Sequence, residues 1–353
     1  MSPRQLNLPV VPINDLIIQD NDLVAATAGR SFWILDALGA IQNYQEKQEG
    51  LTIFQPKPAY LIFGGRAPAG TPGIGQNPVS GVTFDYFVDK KPDSLDLTLT
   101  IKQGNQVIRT ISSKAPKGFK SWPGGPSRPA VLPAKEGYNR FSWNFRRDDL
   151  PVVEQVFVFG GNSGGRVGPG TYTLELSLGN QVSSTTAQVL ADPRINASAS
   201  DYADQQQMLT EMESMVTDIH ESVNEMRSVK KQLKAYKNLL EDNEQAEGLI
   251  TQGDSLIKRI TRWEENLIQS KQKTFQDVIN FNNKLNAEIL YLMGAVDGAI
   301  PQVTQGERQR LNDLKKDWSV YQNEQKDIVQ NEMQQYNELY RSLQLPALIM
   351  KED

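Results

Sequence analysis

The sequence predicts a multidomain chain in which β-structure comes first and long helices follow. Apolar residues alternate with a period of two, in short runs, up to about Leu190. From about Ser200 to about Leu343 they recur instead at spacings of three and four, which puts them on one face of a helix. Asp192-Pro193-Arg194 stands between the two regimes and ends the first. A chain of 353 residues is long enough for two or three domains.

Three strand-like runs open the chain: Ile13 to Ile18, Leu23 to Thr27 and Ser31 to Asp36. Asp20-Asn21-Asp22 and Ala28-Gly29-Arg30 separate them, and both have turn chemistry. The runs are apolar on both faces, the pattern of a sheet held between other sheets. Three short strands cannot bury two faces unaided. The segment therefore docks on the next domain or closes a larger repeat array.

Residues 64–81 are rich in Gly and Pro and read as a loop or linker. Alternation resumes over Val82 to Val88 and Leu95 to Ile101, then turns at Gln103-Gly104-Asn105 into Val107 to Ile111. Residues 114–136 hold five prolines and form a long excursion. Asn139 to Phe145 alternates again, with Phe141, Trp143 and Phe145 expected on one face. Thr171 to Leu178 turns at Gly179-Asn180 into Val182 to Leu190. Such hairpin-linked strands predict an immunoglobulin- or fibronectin-like β-sandwich.

Four apolar stripes follow. Met212, Val216, Ile219, Val223, Met226, Leu233 and Leu240 form the first; Leu249, Leu256, Ile260, Trp263 and Leu267 the second. Leu285, Ile289, Leu292 and Val296 form the third, and Leu311 to Leu343 the fourth. The first and last helices approach 40 residues, roughly 60 Å at 1.5 Å per residue. Thr304 and Glu307 make a capping box. Short connections near 241–246 and 298–303 predict antiparallel neighbours, and the second helix is expected to break within 270–283.

Composition narrows the function classes. Lys plus Arg number 37 against 42 Asp plus Glu, a net charge of −5, which opposes non-specific binding to nucleic acid. Without cysteine there is no disulfide, thiolate site or cysteine nucleophile. The one histidine, His220, rules out a His-rich metal centre. The N-terminus lacks the apolar core of a signal peptide, and no apolar run is long enough to span a membrane; taken alone, these features predict a soluble cytoplasmic chain. No cofactor is expected.

Few residues invite a chemical reading. His220 lies beside the seam of the first helix, without an evident nucleophile or orienting carboxylate. Gly160-Gly161-Asn162-Ser163-Gly164-Gly165 lacks the Lys-Ser/Thr of a phosphate loop and leads into a strand, so it reads as a flexible loop. Asp85, Asp148, Asp149 and Glu154 are hydrolytic carboxylates only by exclusion. Trp122 and Phe119, on the Pro/Gly-rich excursion, are the candidate binding residues: an aromatic on a loop can stack on a sugar or anchor a protein. The alternative is that Trp122 plugs the open end of the sandwich core. The helical stripes carry no inward Glu-x-x-His pair, so they are structural core.

The runs Leu8-Pro9-Val10-Val11-Pro12-Ile13-Asn14-Asp15-Leu16 and Asp22-Leu23-Val24-Ala25-Ala26-Thr27-Ala28-Gly29-Arg30-Ser31-Phe32-Trp33-Ile34-Leu35-Asp36 resemble the last repeat of large bacterial BNR-repeat, sortilin-like β-propeller proteins, often labelled glycosyl hydrolases. Gly137 to Arg146, Pro169-Gly170-Thr171-Tyr172 and Asp192-Pro193-Arg194 resemble the tail of the same family, and the region around Trp263 and Lys284-Leu285-Asn286 does so more loosely. Ser31 departs from the family's glycine, and Ala37 from its acid. The resemblance implies a partial propeller blade over 1–55, with the propeller that would hold a hydrolase site lying upstream. It also implies an exported, extracytoplasmic setting, and carries over no active-site residue.

The expected architecture is thus a partial propeller blade (1–55), an immunoglobulin- or fibronectin-like sandwich (56–195) and an antiparallel bundle of three or four long helices (196–353). The expected function is a non-catalytic accessory region that binds protein or glycan or scaffolds a propeller. Two alternatives stand beside it: part of a glycosidase or peptidase whose catalytic residues lie upstream, and a structural oligomerisation module.

Overall fold

The computed structural model describes residues 8–43, 48–63, 77–91 and 94–345. The layout is multidomain, β first and α after, in two compact units. One comprises Met1–Gly118, Pro129–Asp148 and Arg166–Asn196; the other comprises Phe119–Arg128, Asp149–Gly165 and Ala197–Asp353.

The first unit begins with β1 (Ile13–Gln19), β2 (Asp22–Thr27) and β3 (Phe32–Leu35), an antiparallel sheet in the order β1-β2-β3. Asp20 and Asn21 link β1 to β2 with positive φ values of 49° and 63°. That is a type I′ turn, whose twist suits a two-residue hairpin. A short helix, α1 (Gly39–Gln42), follows.

The rest of this unit is two sheets over one core. β4 (Leu51–Ile53), β6 (Val82–Val88) and β9 (Gly137–Trp143) form a three-stranded sheet in the order β4-β6-β9. β5 (Ala59–Tyr60), β7 (Leu97–Gln103), β8 (Gln106–Ser112), β10 (Gly170–Leu178) and β11 (Gln181–Leu190) form a five-stranded sheet in the order β5-β11-β10-β7-β8. β4 and β5 escape the sequence reading because two or three residues are too few to show a period. Val82, Phe84, Tyr86 and Val88 of β6 face one core with Leu97, Leu99 and Ile101 of β7 and Tyr172, Leu174 and Leu176 of β10. Trp143 is buried in it, its indole N–H donating to the Arg146 carbonyl at 2.8 Å. Gly81 has to be glycine: its φ is 138°, and a Cβ there would stand 2.2 Å from the Trp143 carbonyl oxygen. Of the aromatic triplet expected on one face, Trp143 and Phe145 are buried and Phe141 is only partly so. Phe145 gets there through a left-handed residue (φ 61°) beyond the end of β9, not by strand alternation.

In the second unit α2 (Ala199–Leu240) starts at Ser198, whose side chain and Asp201 cap each other. α3 (Glu247–Leu267) follows a 3₁₀ turn over Glu244–Ala246. The expected break appears as non-helical chain around a second 3₁₀ turn, Phe275–Ile279, before α4 (Leu285–Val296). α5 (Gln305–Asp327) starts at the reciprocal Thr304–Glu307 cap. A π turn (Ile328–Glu332) leads from α5 into α6 (Met333–Ser342). The four stripes converge on one core that includes Met212, Ile219, Leu256, Trp263, Ile289 and Leu314. Between α2 and α3 the nearly buried Glu264 accepts from Arg227 at 2.7 Å and Lys230 at 2.5 Å.

One expectation needs correction. Segments 119–128 and 149–165, assigned from sequence to the sandwich, group with the helices. They lack strand periodicity, and their hydrogen bonds run to each other and to α2: Val158 N–H donates to the Gly124 carbonyl at 3.0 Å, and Gly165 N–H to Glu213 at 2.6 Å.

Candidate interaction surface

The β1–β3 sheet exposes what the rest of the chain buries. Every residue of β1 is exposed. Cross-strand register assigns the faces. Leu16, paired with Ala25 and through it with Trp33, shares a face with Ile18, which pairs with Leu23. Ile17, paired with Val24 and through it with Ile34, lies on the opposite face with Phe32. Leu16 and Ile18 are 58% and 60% exposed; Ile17, Phe32 and Ile34 are 57%, 72% and 60% exposed. Apolar side chains on both faces are therefore exposed at β1 and β3, while the central β2 is half-buried and its Ala25 buried; such exposure is unusual for side chains each worth about 1.5–3 kcal/mol on burial.

The sheet is nevertheless anchored within its own unit. Asp22 accepts from Lys57 Nζ at 2.8 and 2.7 Å and from the Ala37 N–H at 2.7 Å. Burial pushes the Asp22 carboxyl up, but these donors outweigh it and hold the group below the usual carboxylate value. Arg140 donates to the Asp36 carbonyl at 3.3 Å and forks onto Asp85 at 2.8 and 3.0 Å.

Trp122 and Phe119, the candidates from sequence, are both half-buried, and both belong to the helical unit. Trp122 is held by other loops of that unit. Its indole N–H donates to the Val156 carbonyl at 2.8 Å, and its ring lies over Gly125. The neighbouring Phe157 is buried and packs edge-on to Phe275 at 5.1 Å; the exposed Phe159 meets Phe275 at 5.5 Å. Trp122 thus belongs to loops whose aromatics come from distant parts of the sequence. Gly124 permits the packing: its φ is 68°, and a Cβ would fall 2.2 Å from the Phe157 ring. Gly124→Ala is expected to destabilise the helical unit by about 1–3 kcal/mol through overpacking and backbone strain, read as a lower midpoint in urea at an unchanged slope.

The other chemical candidates have structural partners. Asp85 pairs with Arg140, Glu154 with Lys120 at 2.7 Å, and the Asp148 carboxylate accepts the Thr110 N–H at 3.1 Å. His220 is fully buried; one ring nitrogen meets the Pro151 carbonyl at 2.6 Å and the other the Asn286 amide at 3.1 Å. The Gly160–Gly165 segment is a loop, as expected, but a pinned one: the Asn162 carbonyl accepts the Leu150 N–H at 2.7 Å, and Gly165 is held by Glu213. Among the described residues no group of three or more His, Asp or Glu is arranged to hold a metal ion, and no helix is long and apolar enough to cross a membrane.

Sequence reasoning found the two-sided apolarity of β1–β3 but not its exposure, which is a tertiary property. No family model and no curated protein matches the chain. Among solved structures, one titled "pT26-6p" aligns with 75% of this chain and 47% of its own at 11% identity, with a TM-score of 0.11, too low to indicate a shared fold.

Proposed function

We propose that this chain is a non-catalytic accessory region that binds a β-structured protein through the β1–β3 sheet. The observation that carries the reading is the exposure of Leu16, Ile17, Ile18, Phe32 and Ile34 on both faces of one small sheet. Side chains of this kind need apolar neighbours above and below. The resemblance of Leu8 to Asp36 to a closing BNR repeat supplies a candidate for those neighbours, a sortilin-like β-propeller. On this reading β1–β3 is part of a propeller blade, the two-sheet unit is an immunoglobulin- or fibronectin-like sandwich, the helices form an antiparallel bundle, and the setting is extracytoplasmic. The engagement of Asp85, Asp148 and Glu154 in structural contacts supports a non-catalytic role.

The test is to mix the chain with a separately produced BNR-repeat propeller that lacks its closing repeat. A 1:1 complex is expected on size exclusion, lost on Ile17→Lys with Ile34→Lys while the circular dichroism of the chain is kept. Failure to bind overturns the propeller partner. Turnover of glycan substrates by the isolated chain, abolished by one carboxylate substitution, overturns the non-catalytic role.

A further inference from the structure

We infer that the capped turn between α3 and α4 docks the helical unit on an anionic lipid surface, its apolar side chains entering the bilayer and the lysines around it holding the headgroups. The inference is independent of the reading of β1–β3.

The turn, Phe275–Ile279, is held in shape without contributing to the core. Thr274 and Asp277 cap each other, and the Asp277 carboxylate accepts the N–H groups of Lys273 and Thr274 at 2.6 and 2.9 Å. None of the five residues is buried. Phe275 is 61% exposed and Ile279 83%. Phe159 extends the same apolar surface: it is 53% exposed, and its ring meets that of Phe275 at 5.5 Å. The buried Phe157 anchors Phe275 from the same loop at 5.1 Å. A preformed turn that shows large apolar side chains to solvent and buries none of its own residues calls for a cover from outside the chain.

Charge selects the cover. The chain as a whole has a net charge of −5, yet residues 268–284 hold Lys271, Lys273 and Lys284 against a single acid, Asp277. That acid is turned back onto the backbone of its own cap, so the excursion presents cations. Lys271 and Lys273 are exposed. Lys273 Nζ reaches the Gln155 carbonyl at 3.5 Å, on the loop that carries Phe159, so a cation borders the apolar surface. The form of the turn selects a bilayer over a protein. A turn that buries none of its residues offers a partner protein no recess for an anchoring side chain. A bilayer needs none: protruding Phe and Ile side chains enter below the headgroups, while lysine stems lie in the apolar layer and keep their ammonium groups at the phosphates. A second copy docked by the same face would set lysines against lysines.

The probe is vesicles of phosphatidylcholine, alone or mixed with phosphatidylglycerol, sedimented with the intact chain. Binding is expected to the mixed vesicles only, and it should weaken as added salt screens the lysines. Lys271→Gln with Lys273→Gln should lower the partition coefficient roughly twentyfold, at about fivefold per lysine. Ile279→Ser should lower it roughly tenfold and, at so exposed a position, leave the urea midpoint unchanged. The chain has no cysteine, so Ile279→Cys takes a single environment-sensitive dye. Its emission should shift to the blue on mixed vesicles, whereas the same dye on Ile17→Cys should not respond. No binding, equal binding to both kinds of vesicle, or binding that survives both the lysine pair and Ile279→Ser overturns the proposal. So does a shift at Ile17→Cys with none at Ile279→Cys. A dimer of the chain that Ile279→Ser dissolves, without vesicle binding, overturns the lipid assignment in favour of a second copy.

Discussion

Trp263→Ala is expected to cost the helical unit about 3–5 kcal/mol, the range for truncating a fully buried aromatic. Trp263 is completely buried within the α2–α6 core. It also does more than fill volume. Its indole N–H donates to the Tyr321 carbonyl at 2.9 Å, tying α3 to α5 about two turns before the π turn. On the same side Arg259 reaches Glu324, before that turn, and Glu332, its last residue. The substitution therefore removes packing and a cross-helix hydrogen bond together. Trp263→Phe should recover most of the packing, leaving a deficit near 1 kcal/mol for the lost bond. Urea unfolding followed at 222 nm measures both. Equal stability of the alanine variant and the parent would mean that the core can collapse around the gap, against the close packing described here.

The difference between what was legible and what was not follows from distance along the chain. The stripes of α2 to α5 were readable because a helix fixes its face from neighbours three and four residues away. The Thr304–Glu307 cap was readable for the same reason. The Ser198–Asp201 cap carried an equally local signal, a serine three residues before an acid, and could have been found. The alternation of β6, β7 and β10 was plain because one face of each is buried. The assignment of 119–128 and 149–165 to the helical unit was not legible. It depends on contacts such as Trp122 with Val156 and Phe157 with Phe275, which join residues 34 and over a hundred positions apart, and no periodicity records them. The candidate surface was half legible. The sequence showed a sheet apolar on both sides, but only the structure shows Leu16, Ile17, Ile18, Phe32 and Ile34 exposed.

His220 should make the stability of the helical unit depend on pH where no other side chain of the chain ordinarily titrates. It is the single histidine, and it is fully buried. The hydrogen bonds set its tautomer: a carbonyl can only accept, so Nδ1–H donates to Pro151, and Nε2 accepts from the Asn286 amide. The ring is neutral in this arrangement. Burial lowers its pKa below 6.5, and the bond to Pro151, which works in the opposite direction, does not offset it. The unfolded chain takes up a proton near pH 6.5 while the folded chain does not. Stability is therefore complete above about pH 6.5 and falls as the pH drops below it, by up to about 1.4 kcal/mol per pH unit, until the folded-state pKa is reached. Carboxylates held low by partners, such as Glu154 and Glu211, begin to contribute only below 4.5. Urea midpoints measured between pH 7.5 and 5 should fall for the parent chain. His220→Gln should flatten that slope and lower stability at every pH. A parent slope that persists in His220→Gln would assign the effect to another group. His220→Ala leaves a cavity, an unpaired Pro151 carbonyl and an unpaired Asn286 amide among α2, α4 and segment 149–165, and should cost about 2–4 kcal/mol at pH 7.5. Because Pro151 sits at the start of that segment, its amide protons should lose protection from exchange before those of α2 do.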